Sequence, residues 1–383
     1  MEYTIPHYFE QFECTAAQCE DTCCAGWAIM IDEESLDRYR KVEGTFGNRL
    51  KNSVDWERGC FCQYGKRCAF LNEDNLCDMQ IEAGEQMLCN TCRDYPRHME
   101  EYEGLREGSL SLSCIEAAKL ILGCEEPVRF VHFEDDVEDE EYEDFDYLLF
   151  TKLMDARERI IEILQTREVD IHTRIGLVLD LTDRIQKSIK LREVYKIDDI
   201  LEGMQGMEAF AFFENRVKEV QSEELEYCGA MRKMFRVFSK LEVLKEDWTE
   251  YVKKAERILY GNGQQAYDNM ERKFAERFHE EGSIWMEQLM VYFVFTYFCG
   301  AVYDDNALGK MKTAVIATLL IRELAFARWM EEREHLTFSM FVDIAHSVSR
   351  ELEHSDVNLV RLEKMCDKMP HLQTKELLRV VLH

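Results

Sequence analysis

Of the 15 cysteines in this chain of 383 residues, 12 fall between Cys14 and Cys124, and Cys228, Cys299 and Cys366 are scattered through the remainder. Most follow the order Cys14-x4-Cys19-x3-Cys23-Cys24, Cys60-x-Cys62, Cys68, Cys77, Cys89-x2-Cys92 and Cys114. Tetrahedral zinc takes four thiolate or imidazole ligands, and a four-iron cluster takes up to four cysteines, so this segment carries enough sulfur for one site with spares or for two. A pair such as Cys89-x2-Cys92 lets two sulfurs reach one metal from a tight turn. The vicinal pair Cys23-Cys24 is different: adjacent side chains diverge, so one ligates while the other packs or serves a second site. Spacing alone does not assign the ligands. The competing role, a buried thiol acting as a small hydrophobe, suits Cys60, Cys62 and Cys124 best.

The cysteine count is odd, and Met1-Glu2-Tyr3-Thr4-Ile5-Pro6 has neither the basic start nor the apolar stretch of a secretory signal. A reducing, cytoplasmic setting is expected, where clustered cysteines serve metals or catalysis rather than a disulfide framework.

The blocks around these cysteines follow a recognisable order. Tyr8-Phe9-x2-Phe12-x-Cys14-x4-Cys19-Glu20-Asp21-Thr22-Cys23-Cys24-Ala25-Gly26-Trp27 resembles the opening signature of the flagellin lysine N-methylase family. Arg67-Cys68-Ala69-Phe70-Leu71-Asn72-Glu73-Asp74-x-Leu76-Cys77, Gly84-Glu85-x2-Leu88-Cys89-x2-Cys92-Arg93-x-Tyr95-Pro96-Arg97 and Ser109-Leu110-Ser111-Leu112-Ser113-Cys114-x-Glu116-Ala117-Ala118 are similar to its later blocks. Ala69 stands where relatives tend to have proline. The resemblance covers about residues 7 to 122. It implies methyl transfer from S-adenosylmethionine to lysine ε-amino groups of flagellin. It also implies an iron-sulfur cluster, with zinc as the alternative, at Cys14, Cys19, Cys23, Cys24, Cys68, Cys77, Cys89, Cys92 and Cys114.

A lysine must lose its ammonium proton before it can attack a methyl sulfonium, so such a reaction needs a general base or a desolvating pocket. Asp94, Tyr95 and His98, beside the Cys89-Cys92 pair, are the catalytic candidates, with Glu20 and Asp21 beside Cys23. Trp27 can face a sulfonium or ammonium through cation-π attraction, or simply plug a small lobe. Arg93 and Arg97 are candidates for the cofactor carboxylate, against the commoner fate of surface ion pairs. A Gly-rich strand-to-helix loop followed by an acidic residue is absent. Gly261-Asn262-Gly263-Gln264 follows a helical run and is expected to be a turn between helices. The Cys-x3-Cys-x2-Cys of radical enzymes is also missing, because Cys19-x3-Cys23 runs straight into Cys24. A metal-stabilised binding module and an iron-sulfur redox protein are the alternative functions.

The elements that position these residues divide the chain. A Cys-rich lobe at 1–133 is followed by an acidic connector at 134–146 and a helical domain at 147–383, giving a mainly α protein whose small lobe has short strands. Trp27–Ile31 and Pro127–Phe133 read as strands that pair with each other. Asp32 caps a helix to about Val42, ended by Gly44, and Ser113-Cys114-Ile115-Glu116 reads as a capping box opening a helix to Gly123. Metal-held loops are expected across 59–97. From Phe145 onward the apolar residues fall on stripes, such as Ile171, Ile175, Val178, Leu179, Thr182, Ile185 and Ile189. Further helices are expected near 145–166, 208–221, 225–245, 248–260, 265–281, 284–303, 307–332, 338–354 and 356–368. No proline falls between Val128 and Met369. The apolar run Leu289–Tyr303 is shorter than the roughly 20 residues of a membrane span and is expected to be a buried helix. With 47 basic and 76 acidic residues the net charge is -29, which disfavours nucleic acid and favours a basic partner or a lysine side chain. Oligomeric state is not legible.

Overall fold

The computed structural model describes residues 1–135, 144–222 and 225–383. The strands are β1 (Glu2–Pro6), β2 (Val54–Asp55), β3 (Cys60–Phe61), β4 (Gln63–Tyr64), β5 (Arg67–Cys68), β6 (Arg97–Tyr102), β7 (Leu105–Leu110) and β8 (Phe130–Glu134). Among them run α1 (Glu33–Arg40), α2 (Gly44–Ser53), α3 (Asp78–Ala83), α4 (Asn90–Asp94) and α5 (Ile115–Leu122). Then come α6 (Tyr147–Leu164), α7 (Ile171–Lys190), α8 (Lys196–Glu202), α9 (Gly206–Ser222), α10 (Tyr227–Phe238) and α11 (Trp248–Tyr260). The chain ends through α12 (Gln264–Arg277), α13 (His279–Tyr297), α14 (Ala307–Glu331), α15 (Phe338–Glu353), α16 (Asp356–Lys368) and α17 (Thr374–Val381). The mainly helical class and the short strands of the N-terminal region are as expected.

The helical part follows its apolar periodicity. Asp146 caps α6 by accepting from Leu149 N at 2.9 Å, and Asp170 caps α7 by accepting from His172 N at 2.8 Å. Gly263, at φ 81°, makes the expected turn between α11 and α12. Helix α14 lies at the centre, touching α7, α11, α13, α15 and α16, and buries 20 of its 25 residues. A helix surrounded on all sides has no polar face, which is why its sequence is apolar all round. The segment His279–Val302, α13 with the 3-10 turn after it, is long and apolar enough to cross a membrane. In this fold 83% of its apolar window is buried.

Three local expectations change. Trp27–Ile31 forms no strand; isolated bridges, Ala25 to Arg67 and Met30 to Cys60, hold that segment. Strand β8 instead pairs antiparallel with β1, Glu2 opposite Glu134 and Pro6 opposite Phe130, in a sheet of order β6-β7-β1-β8. Strand β1 runs parallel to β7, and β6 and β7 form an antiparallel pair. The capping box at Ser113 does not form: Cys114 is the N-cap of α5 without a side-chain bond, while Ser113 Oγ meets Tyr95 and His354. Residues 136–143 of the expected acidic connector lie outside the described residues.

Two apolar cores result. The larger gathers Ile5, Tyr8, Phe9 and Phe12, the residues of β7 and α5, and the helices from α6 to α17. The smaller is built from Ile29, Ile31, Tyr39, Leu50, Val54, Phe61, Phe70, Met79 and Leu88, with Cys68 and Cys89 among them.

Candidate functional site

The cysteines sort into two groups. Cys14, Cys19, Cys23 and Cys114 lie within electrostatic reach of one another, Cys114 at the N-terminus of α5 and the other three on the loops after β1. Cys24, Cys68, Cys77, Cys89 and Cys92 form the second group. Cys24, Cys68, Cys77 and Cys92 line a void of about 20 Å³ inside the smaller core. The vicinal pair therefore joins the two groups, Cys23 belonging to one and Cys24 to the other. All of these thiols are free. Among the described residues no three side chains of His, Cys, Asp or Glu already converge at metal-bonding distance.

Thiols also pair, Cys23 with Cys24 across the two groups and Cys89 with Cys92 within the second. The bond from Cys23 draws the Cys24 thiol down, and Arg67 adds to that pull, while Cys23 itself is raised by the same bond and by burial. Cys92 does the same for Cys89. Of the remaining cysteines of the lobe, Cys60 is buried in β3 and Cys62 half-buried next to it, and neither belongs to the two groups.

Gly26, at φ 89°, turns the chain behind Cys24, and a Cβ there would meet Arg350 Nη2 at 3.2 Å. Trp27 follows, its indole N–H donating to Cys23 O at 2.7 Å and its ring stacked on His354 of the loop after α15 at 4.5 Å. Trp27 also lines a cavity of about 520 Å³ between the N-terminal region and the helices. Asp94, Tyr95, Arg97 and His98 line the same cavity, so five of the six proposed catalytic and cofactor-binding residues meet there. Arg93 does not: it lies exposed, paired with Asp94 at 2.9 Å. Arg97 sits over the rings of Phe9 and Phe12 at 5.9 and 5.2 Å. His98 bonds Glu100 at 2.8 Å. Tyr95 is nearly enclosed, its hydroxyl 3.0 Å from Ser113 Oγ, and burial followed by the nearby Cys114 pushes its phenol well above the ordinary range.

The helices contribute residues that no spacing announced. Tyr292 and Tyr297 of α13 and Glu353 of α15 complete the cavity. Tyr292 Oη donates to Glu353 Oε2 at 2.7 Å and accepts from Leu112 N at 3.1 Å, tying α15 through α13 to the loop before α5. Burial raises the Glu353 carboxyl to about 7, although its bonds from Tyr292 and Ser111 oppose the rise. Burial, then Arg350 and His346, lowers His354 to about 3, so its ring is neutral near pH 7. Asp21 binds His346 at 3.0 Å and Arg350 at 2.7 Å, and with Glu20 it lines a second cavity of about 1040 Å³. His354 borders both cavities.

A helical array carrying a thiol-rich lobe, with cavities where the two meet, is the class the geometry defines. Residues 157–378 match the FliB lysine N-methylase C-terminal domain, and the chain belongs to that family. It is similar to the lysine-N-methylases of Salmonella typhimurium and Salmonella choleraesuis, 30% identical to each over 128 residues, which is 31% of this chain and 32% of theirs. The chain thus spans about a third of the length of those relatives. It is also 30% identical over 128 residues to the flagellar biosynthetic protein FliU of Salmonella muenchen, covering 76% of that protein. No solved structure matches the chain.

Proposed function

We propose that this protein is a cytoplasmic lysine N-methylase that moves a methyl group from S-adenosylmethionine to lysine ε-amino groups of flagellin. The match of residues 157–378 to the FliB lysine N-methylase C-terminal domain carries this reading. The net charge of -29 suits a lysine-bearing substrate.

The donor, when bound, supplies a methyl group on a positively charged sulfur. Of the two cavities, the larger has the volume for it, within the usual range of roughly 300–1,000 Å³ or just above, and Lys66 lines it as a cation for the donor carboxylate. The two cysteine groups suit thiolate-loving metals, an iron-sulfur cluster or zinc. The void between Cys24, Cys68, Cys77 and Cys92 is the size of a single ion.

The test is incubation of the anaerobically purified protein with flagellin and methyl-labelled S-adenosylmethionine, followed by acid hydrolysis and detection of labelled methyl-lysine. Labelled methyl-lysine is the expected product. Flagellin that binds but acquires no label, under reducing and non-reducing conditions alike, would make the protein a binding module. Metal analysis with an absorption spectrum decides iron against zinc.

A further inference from the structure

A third cavity, of about 170 Å³, opens in the helical array where α7, α12, α13, α14 and α15 meet. It shares no lining residue with the two cavities beside the Cys-rich lobe. Phe274, Phe278, Trp285, Leu289 and Phe341 form its wall, and all five are buried. Trp285 stacks on Phe341 at 4.3 Å, and Phe274 meets Phe278 at 5.0 Å, so the wall is held by its own ring contacts. An apolar cavity of about 150 Å³ admits one benzene ring. This one therefore has room for a single ring with a small substituent. It is too small for an ordinary cofactor, which needs roughly 300 Å³ or more.

One polar atom of the lining decides what that ring must carry. His172, half-buried at the start of α7, lines the pocket and holds its Nδ1 3.0 Å from Val381 O. A carbonyl only accepts, so Nδ1 carries the ring proton and donates. Burial, then Arg322, lowers the proton affinity of the imidazole, so the ring is uncharged at neutral pH and Nε2 keeps a lone pair. Nε2 has no hydrogen-bond partner among the described residues, and it is not shut off from solvent. The charged groups around it are engaged. Arg322 donates to Glu271 and, at 2.9 Å, to Glu323, while Asp170 caps α7. Ser283 donates to His279 O at 2.8 Å, and His279 itself stands exposed at the mouth. Beside the buried wall, the pocket thus offers an open acceptor.

We propose that this pocket binds an aromatic ring carrying one hydrogen-bond donor, a phenol or an indole, with the ring against the buried wall and its O–H or N–H donating to His172 Nε2. A purely apolar ring leaves Nε2 unanswered, and a carboxylate brings it only acceptors. The same chemistry arrives either as a free small molecule or as the tyrosine or tryptophan side chain of a polypeptide. Every lining residue belongs to the helical array and none to the Cys-rich lobe. The site therefore stands or falls independently of methyl transfer.

The experiment measures, by calorimetry on the full chain, the binding of p-cresol and of toluene, the same ring without the hydroxyl. In the wild type p-cresol should bind about threefold to tenfold tighter, the effect of one neutral hydrogen bond. His172→Leu, which removes the acceptor, should erase that preference. Ala325→Leu, which sends a larger side chain into the space from α14, should abolish binding of both ligands. Circular dichroism and a thermal melt check folding, and if one variant fails to fold the other decides. Failure of p-cresol to bind the wild type at millimolar concentration overturns the assignment. So does toluene that binds as tightly as p-cresol, or binding unaltered in either folded variant. Capped peptides distinguish the source. Displacement of p-cresol by a peptide with one tyrosine, and not by the same peptide with phenylalanine, assigns the pocket to a polypeptide side chain. A p-cresol complex that neither peptide displaces assigns it to a free phenol, and displacement by both peptides alike overturns the need for a donor.

Discussion

At the scale of single residues, Glu353 carries a consequence for stability that does not depend on any substrate. Its folded-state carboxyl is raised to about 7 from an ordinary 4.5, chiefly by burial. Between those values the native state holds a proton that the unfolded chain releases. Stability contributed by this group is thus fully present below pH 4.5 and is lost as pH rises through 7. Glutamine at this position stays neutral throughout. Urea denaturation at pH 5 and pH 8 should show Glu353→Gln gaining on the wild type by about 1–3 kcal/mol over that interval, less than the full linkage value because the side chain is only partly enclosed. A difference between the two proteins that does not change with pH would contradict the raised carboxyl. Glu353 was not legible in the sequence for a physical reason. It is one acid among 76, at the end of an amphipathic helix, and only the packing of α15 on α13 sets it against Tyr292. Asp94, Tyr95, Arg97 and His98 were legible because they adjoin a cysteine pair whose spacing is itself a signal.

At the scale of elements, the strongest tie between the N-terminal sheet and the helices is a buried ion pair. Glu107 of β7 and Arg157 of α6 meet in two parallel bonds, and Arg157 also donates to Phe295 O at 3.2 Å and lies over the Phe295 ring at 5.0 Å. Removing one charge leaves the other enclosed without a counterion, which costs about 3–5 kcal/mol, whereas removing both costs less. Glu107→Ala should therefore lower stability by about that amount, and Glu107→Leu with Arg157→Met should recover most of it in chemical denaturation. Additive losses in the double variant would mean that the pair contributes only packing. Neither residue stood out beforehand, since a pair 50 positions apart leaves no periodic trace. From Phe145 onward the helices, by contrast, were legible nearly end to end, because a stripe such as Ile171 to Ile189 repeats with the helical turn and few prolines interrupt it, whereas α2, α3 and α4 stand where a helix stop and metal-held loops were expected. The short α8 and α17 span 7 and 8 residues, too few for the pattern to show. The strand expected at Trp27–Ile31 failed because its apolar residues serve the smaller core and a stacked ring, not a ladder: Ile29 and Ile31 are buried there while Trp27 lies on His354.

At the scale of the whole molecule, the cysteines decide where the fold is weakest. Strand β1, the β6-β7 pair and α5 share the large core with the helical array, so the part of the N-terminal region with a core of its own is the stretch from Ile29 to Cys89. A core this small is below the roughly 70–80 residues at which apolar burial alone gives a few kcal/mol, and folds of that size are usually stapled. Among the described residues no disulfide is present, and the second thiol group, Cys24, Cys68, Cys77, Cys89 and Cys92, surrounds and enters this core. On the proposal that these thiols hold a metal, it would stabilise the loops by binding the folded form alone, and the large core would have no such dependence. Stripping metal with a chelator under anaerobic, reducing conditions should therefore raise amide hydrogen exchange throughout residues 24–92 while α13 and α14 keep their protection. Cys68→Ser with Cys77→Ser should reproduce that pattern without chelator. In Cys14→Ser with Cys19→Ser, aimed at the other group, residues 68–92 should stay protected. Exchange that rises equally in the helical array, or not at all between 24 and 92, would show that the thiols do not staple the smaller core, and would return Cys68 and Cys89 to the role of buried apolar side chains.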